Sequence, residues 1–404
     1  MQRISTITAH IVRTLLGVVF TFSGFVKVID PLGTTYKIED YMMAMNLPSL
    51  VPMAFMAAMC LVTFELVLGL CMLLNVKSLL TPWLTLAMMV FMTPLTLWIA
   101  LKNPVTDCGC FGDALVISNW ATFWKNVVLL ALVVVFIMMR KAAKPWFGRV
   151  TQWVMVGVFI ACSLCLSFYC LRHLPLIDFR PYKVGTDIRR SMEIPEGAPV
   201  DEYETTFTYE KDGVQQTFTL DNYPKDDPSW VFVDAHSTLV RKGYEPPIHD
   251  FSIVRFDVYD LDDVAAEKYN ETDLETTETT DDEGAPVGED EWFDDMPDFD
   301  ITDHVLDNPG KTILVIMYDL EKADATQVAK LNDLYIQALA DGAEFYALTG
   351  SATLQVKDFI ARTAAAYPFC STDPVTLKTI IRANPGIVVI EAGKITEKHN
   401  VRQL

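Results

Sequence analysis

The first 172 positions alternate long apolar stretches with short polar turns. Five stretches, Ile4–Val26, Leu50–Leu74, Leu79–Leu101, Trp120–Met139 and Val150–Leu171, are each long enough to cross a hydrocarbon core of about 30 Å as a helix. After His173 the period changes. "TTFTYEKDGVQQTFTL", Thr205–Leu220, reads as a hairpin turning at Asp212-Gly213. Further on the order is strand, helix, strand, helix, strand: "TILVIMYD", a helix closed by Gly342, "EFYALTG", "ATLQVKDFIARTAAA", and a last helix joined to "GIVVIEAG" through Asn384-Pro385-Gly386. The expected architecture is an α-helical membrane bundle of four helices plus a fifth, then a small β-rich segment, then an α/β domain.

The first span has no small-residue cleavage site and four more follow it, so it is expected to be retained. "RKAAKPWFGR", Arg140–Arg149, concentrates positive charge and is expected to be cytoplasmic. Counting outward puts Lys27–Ser49, Lys102–Asn119 and everything after Leu171 outside, in an oxidising compartment. The expectation is a multi-pass bacterial inner (cytoplasmic) membrane protein with a periplasmic C-terminal part. The expected divisions are 1–140 for the bundle, 141–172 for the basic loop and fifth span, 173–242 for the β-rich linker, and 243–404 for the α/β domain.

Composition agrees with two unlike halves, since 51% apolar residues and a formal charge of −20 share one chain of 404 residues. Nearly all that charge comes from Asp257–Asp303, with 20 acidic residues against one lysine. Low hydrophobicity with high charge predicts a disordered insertion there. An acidic strip docking a basic partner is the alternative, and no EF-hand spacing supports calcium. The lipid bilayer is an expected partner and nucleic acid is not.

Seven of the eight cysteines lie in the membrane half. Cys108 and Cys110, in "TDCGCFGDAL", stand one glycine apart in an external loop. A disulfide across one residue is near the limit of allowed geometry, and strained bridges are the more oxidising ones, so such a pair suits disulfide exchange. A stable structural bridge or two packed thiols are the alternatives, while a metal site would need more ligands than this loop offers. Cys162 and Cys165 share a face of the fifth span, with Cys170 near its external end. They are a candidate relay, or small residues in helix packing. Cys60 and Cys71 read as packing residues, and Cys370, the one cysteine after the membrane, as a core residue.

Charge inside a bilayer is costly enough to need a reason. Glu65, in "LVTFELVLGL", is deep in the second span and is expected to have a functional or helix-pairing role, with Arg13, His10 or Lys125 as candidate partners. Lys27 stands at the external end of the first span, where it can snorkel to the headgroups.

"RTLLGVVFTFSGFVKVIDPLG", "FELVLGL" and "CGCFGD" together resemble the DoxX superfamily, in its branch similar to the methylamine-utilisation protein MauE. The resemblance covers roughly residues 8–140. It implies a four-helix membrane bundle in redox work, with relatives linked to thiosulfate:quinone oxidoreduction and to disulfide formation in a periplasmic enzyme subunit. The region from Gly243 to Asn400 resembles a thioredoxin-like domain, with "PPIHDFSI" similar to its opening stretch and Pro385 as candidate cis-proline. It departs from that family at "YDLEKADATQ", where Cys-x-x-Cys is missing. The overall plan is similar to bacterial vitamin K epoxide reductase homologues.

Two functions are expected. In one, an enzyme of thiol–disulfide exchange passes electrons from an exported dithiol protein through Cys108 and Cys110 towards a quinone. In the other, a non-catalytic assembly or scaffold protein uses the degenerate domain for docking.

Overall fold

A computed structural model of the chain describes residues 2–105, 107–142, 145–211, 213–220, 222–225, 229–241, 243–249, 251–256 and 300–403. The acidic run expected as an insertion lies, over 257–299, outside the described residues.

The membrane half folds as helices α1 (Gln2–Ile29), α2 (Pro31–Ala44), α3 (Ala54–Leu73), α4 (Thr81–Lys102), α5 (Asn119–Met139) and α6 (Arg149–His173). Five of these, all but α2, belong to segments long and apolar enough to cross a membrane. Helix α2 went unnoticed in the sequence because "PLGTTYKIEDYMMA" has only a weak apolar stripe. Its start is nonetheless written locally: Pro31 occupies the first turn, where its missing N–H costs nothing, and the Asp30 carboxylate accepts the Gly33 N–H at 3.0 Å.

Helices α1 and α3 make the closest pair, and small residues allow it. A Cβ added at Gly24 would collide with the Leu66 backbone, and one at Gly69 with the Thr21 backbone. In a bilayer, where apolar side chains gain nothing by leaving lipid, such close approach supplies the packing. Leu16, Phe20, Met72, Met89, Val133 and Phe136 fill the space among α1, α3, α4 and α5. Helix α6 packs on α3 and α1.

Beyond the membrane, β1 (Glu202–Lys211), β2 (Val214–Thr219) and β3 (Val231–Arg241) form an antiparallel sheet in the order β2-β1-β3. β1 and β2 pair antiparallel up to Lys211 and Val214, on either side of the expected turn, whose residue 212 lies outside the described residues. Strands β4 (Val254–Arg255), β5 (Lys311–Ile316), β6 (Glu344–Thr349), β7 (Phe369–Ser371), β8 (Gly386–Glu391) and β9 (Lys394–Asn400) build a second sheet in the order β4-β7-β6-β5-β8-β9. β5, β6 and β7 run parallel, while β4, β8 and β9 pair antiparallel to their neighbours. Helices α7 (Ile188–Met192), α8 (Thr302–Asp307) and α11 (Pro374–Ile380) contribute core residues to one face, and α9 (Val328–Ala340) and α10 (Thr353–Thr363) to the other. With both faces covered, β5 reads as a continuous apolar run: Ile313 and Val315 point to one core, Leu314 and Ile316 to the other. Cys370 is buried in the core of Leu314 and Ile316, as expected. The Asn384–Pro385 peptide before β8 is cis.

The α/β part is tied to the bundle by Arg382, which follows α11. Its Nε reaches both Asp30 carboxylate oxygens at 3.1 and 2.9 Å, and its Nη2 reaches Asp113 at 3.2 Å. The guanidinium also lies 5.4 Å from the centre of the Tyr36 ring, and Tyr36 donates a 3.0 Å hydrogen bond to Tyr318. Removing one partner of a buried ion cluster leaves the others unpaired, at about 3–5 kcal/mol. Arg382→Met is therefore expected to speed amide exchange in α2 and in residues 107–113 while the spans stay protected. Unchanged exchange in both segments would show that Arg382 holds nothing together.

Candidate functional site

The loop that carries the two cysteines runs from the end of α4 to the start of α5. Gly109 (φ +61°) and Gly112 (φ +52°) take left-handed backbone, which glycine adopts without cost, and the Gly112 N–H closes a turn on the Gly109 carbonyl at 3.0 Å. Because the turn at Gly109 folds the chain back, the sulfurs of Cys108 and Cys110 come to 2.7 Å, as free thiols. The Cys110 N–H also points at the Cys108 sulfur, at 3.4 Å.

Four side chains hold this loop by its backbone. From α1, Lys27 donates to the Cys110 carbonyl at 2.6 Å and Ser23 does so at 2.5 Å. From α2, Tyr41 donates to the Cys108 carbonyl at 2.6 Å. The Asp107 carboxylate accepts the Gly109 N–H at 2.8 Å and is itself paired with Lys37 of α2 at 2.8 Å.

Beneath the loop lies the charge pair that the sequence left unmatched. Lys27 Nζ is 2.8 Å from Glu65, with the residues 8% and 5% exposed. This corrects two expectations. Lys27 does not snorkel to the headgroups, and the partner of Glu65 is Lys27, not Arg13, His10 or Lys125. The reason is the close approach of α1 to α3, which sets an acid beside the Lys27 ammonium. Arg13 instead donates to the Met72 and Leu73 carbonyls at the other end of the pair.

The dithiol faces the bundle. Cys108 is hydrogen-bonded to Thr122 of α5 at 3.5 Å, and Cys110 lines a cavity of about 50 Å³ with Lys27, Glu65, Met89 and Lys125. A larger cavity of about 290 Å³ opens on the opposite side of the loop, among Asp30, Lys37, Asp107, Gly109 and Arg382. There the stretch between the sulfurs offers its glycine.

The two thiols differ in acidity. The hydrogen bond between the two sulfurs lowers Cys108 against the penalty of burial, with Thr122 and the Lys125 charge adding to the effect. That same bond, with burial, pushes Cys110 well up. Asp113 is raised by burial, and Arg382 opposes the rise.

The other cysteines stand apart. Cys162 and Cys165 are exposed on α6 and Cys170 is buried, and among the described residues no hydrogen bond joins any of them to Cys108 or Cys110. Cys71 is buried as expected, but Cys60 is exposed, on the outer side of α3. Sequence reasoning missed Ser23, Lys37, Tyr41 and Arg382. Their signal was weak, since each is an ordinary polar residue in its own segment and acquires meaning only through a residue far along the chain.

Five apolar spans and a dithiol loop held over an intramembrane ion pair define a multi-pass membrane protein that carries an extramembrane β/α region. Residues 5–139 match the family model described as methylamine utilisation protein MauE, a stretch that holds α1 from its second turn, α2 to α5 and the whole dithiol loop. Residues 203–242, the three-stranded sheet, match a domain of unknown function, DUF8463. No curated protein matches the chain.

Two measurements follow from this geometry. Glu65→Gln leaves Lys27 charged without a counter-ion and is expected to destabilise the bundle by about 3–5 kcal/mol, read as thermal unfolding in detergent. The pair Lys27→Met with Glu65→Leu should recover most of that loss, and a double variant no better than the single one would show the ion pair to be incidental. In the reduced protein, Cys108 is lowered and Cys110 raised, so the thiolate resides on Cys108 in preference to Cys110. Small alkylating reagents at pH about 7 are thus expected to modify Cys108 well ahead of Cys110, since only the thiolate reacts. Equal rates at both sulfurs would refute the assigned asymmetry.

Proposed function

We propose that the protein is a membrane-embedded thiol–disulfide redox protein, in which Cys108 and Cys110 accept electrons from an exported dithiol substrate and discharge them towards a quinone. The observation that carries the reading is the setting of the dithiol: two adjacent sulfurs of unequal acidity, fixed through their carbonyls by Ser23, Lys27 and Tyr41. An acidic thiol is the better leaving group, and its pair the stronger oxidant.

The exchange balances as follows. A substrate thiolate attacks Cys110 of the Cys108–Cys110 disulfide, and Cys108 leaves as the thiolate. The second substrate thiol then attacks the substrate sulfur of the mixed disulfide and frees Cys110. The substrate ends as a disulfide, and two electrons with two protons rest on the pair. Reoxidation needs a two-electron acceptor, and a bilayer quinone is the class proposed. The cavity beside Cys110, at about 50 Å³, has room for water and not for a quinone ring. The family matched over residues 5–139 supplies the biological setting proposed, methylamine utilisation.

The region from residue 243 is read as a thioredoxin-like domain without its dithiol, supported by its strand order and by helices on both faces of the sheet. "YDLEKADATQ" stands where the cysteines would be, and its Tyr318 meets Tyr36 of α2. Such a domain binds and positions. The basic loop Arg140–Arg149 supports a bacterial inner membrane location with this domain in the periplasm. The second reading, a non-catalytic assembly protein, is favoured by the Arg382 tie, which docks the domain on the bundle through Asp113 of the loop that carries the dithiol.

The reduction potential of the pair in nanodiscs, read by alkylation across a glutathione series, separates them. A reversible potential near or above about −200 mV is expected for a disulfide donor. A pair below about −300 mV, or function intact in Cys108→Ser with Cys110→Ser, would leave the assembly reading in its place.

A further inference from the structure

Two lysines approach the dithiol from within the bundle, and they differ in their counter-charges. Lys27, from α1, is neutralised by Glu65 at 2.8 Å. Lys125, from α5, has no carboxylate partner among the described residues. Its ammonium lies 4.4 Å from the centre of the Phe111 ring, next in sequence to Cys110, and it lines the same cavity as Cys110. It stands one turn from Thr122, which is hydrogen-bonded to Cys108, so Thr122, Lys125 and Asn126 form one stripe of α5 beside the sulfurs.

An uncompensated ammonium inside a span is costly. An aromatic face offsets part of that cost. The remaining counter-charge is missing while the dithiol is oxidised or fully protonated, and it appears when a sulfur becomes a thiolate. We infer that Lys125 is the counter-ion of the reduced pair, a positioning residue whose charge stabilises the thiolate and thereby raises the reduction potential of Cys108 and Cys110.

Of the other charged groups around the loop, Glu39 and Asp40 of α2 line the larger cavity, and the rest are matched. Lys27 is bound to Glu65, Lys37 to Asp107 and Asp113 to Arg382, while Tyr41 is occupied by the Cys108 carbonyl. α4 contributes Met88, Met89 and Met92 to the cavity, none of them charged. The Lys125 charge also favours ionisation of both cysteines.

This inference rests on the redox reading for its purpose, and its test keeps the two separate. Lys125→Met, Lys125→Arg and the parent, each as the full chain in nanodiscs, are compared by glutathione titration and by the pH dependence of alkylation of the reduced pair. Loss of the charge disfavours the reduced form. Lys125→Met is expected to favour the disulfide about tenfold more, a potential lower by about 30 mV, and to move the alkylation midpoint upward. Lys125→Arg is expected to restore both values, which a purely packing role would not predict. A reversible parent pair whose potential and alkylation profile are unchanged in Lys125→Met overturns the inference and leaves the redox reading intact. If the parent pair does not cycle, the redox reading falls, and the alkylation midpoint still decides Lys125: an upward move in Lys125→Met supports its role and no move refutes it.

Discussion

The ion pair between Lys27 and Glu65 is the contact on which the membrane half depends. Charge in a bilayer is costly, and here an acid and a base offset each other because glycines at positions 24 and 69 let α1 and α3 come together. The pair does more than neutralise itself. Its ammonium still has donors to spare, and it spends them on Ser23 and on the Cys110 carbonyl. A buried salt bridge is weak evidence of stability in its own right. Its consequence here is position: the dithiol loop is fastened to the point where two helices are most tightly locked.

The extramembrane region is held against the same end of the bundle by a second ion cluster. Arg382 joins Asp30, which also caps α2, to Asp113 in the dithiol loop. One guanidinium thus links a span terminus, a short helix, the loop and the α/β core. A cation of fixed planar shape suits this better than lysine would, because its donors diverge towards separate acceptors. Gly33 belongs to the same arrangement, since a Cβ there would press on the Asp30 carboxylate and the Arg382 guanidinium. The motif strings that first drew notice, with their glycines and their aspartates, are therefore parts of one junction.

The direction in which the sulfurs point shapes the chemistry proposed for them. They face α5 and the bundle interior, whereas the glycine between them faces the cavity under the α/β region. A dithiol so turned is shielded from bulk water, in surroundings where a nearby fixed charge acts more strongly than it would at an open surface. The unequal acidity of the two thiols comes from this closeness and not from the residue types, which are identical.

Much of the architecture was legible in the chain alone. Five apolar runs long enough to span a bilayer left little choice but helices, and the alternation after residue 300 called for an α/β sheet. The hairpin before it declared its own turn. Cys108 and Cys110 stood out because a glycine between two cysteines has few bland explanations. What the sequence could not decide was which side chains meet, because a helix period places residues on faces without saying which face finds which. Glu65 was visibly in need of a partner, yet its true partner lies 38 positions away and is set by helix approach. Arg382 and Asp30, 352 positions apart, carry no mutual signal at all. Local patterning determines elements, since it acts through backbone and near neighbours. The counter-ion of a buried charge is a property of the packed structure, and only the tertiary fold decided it.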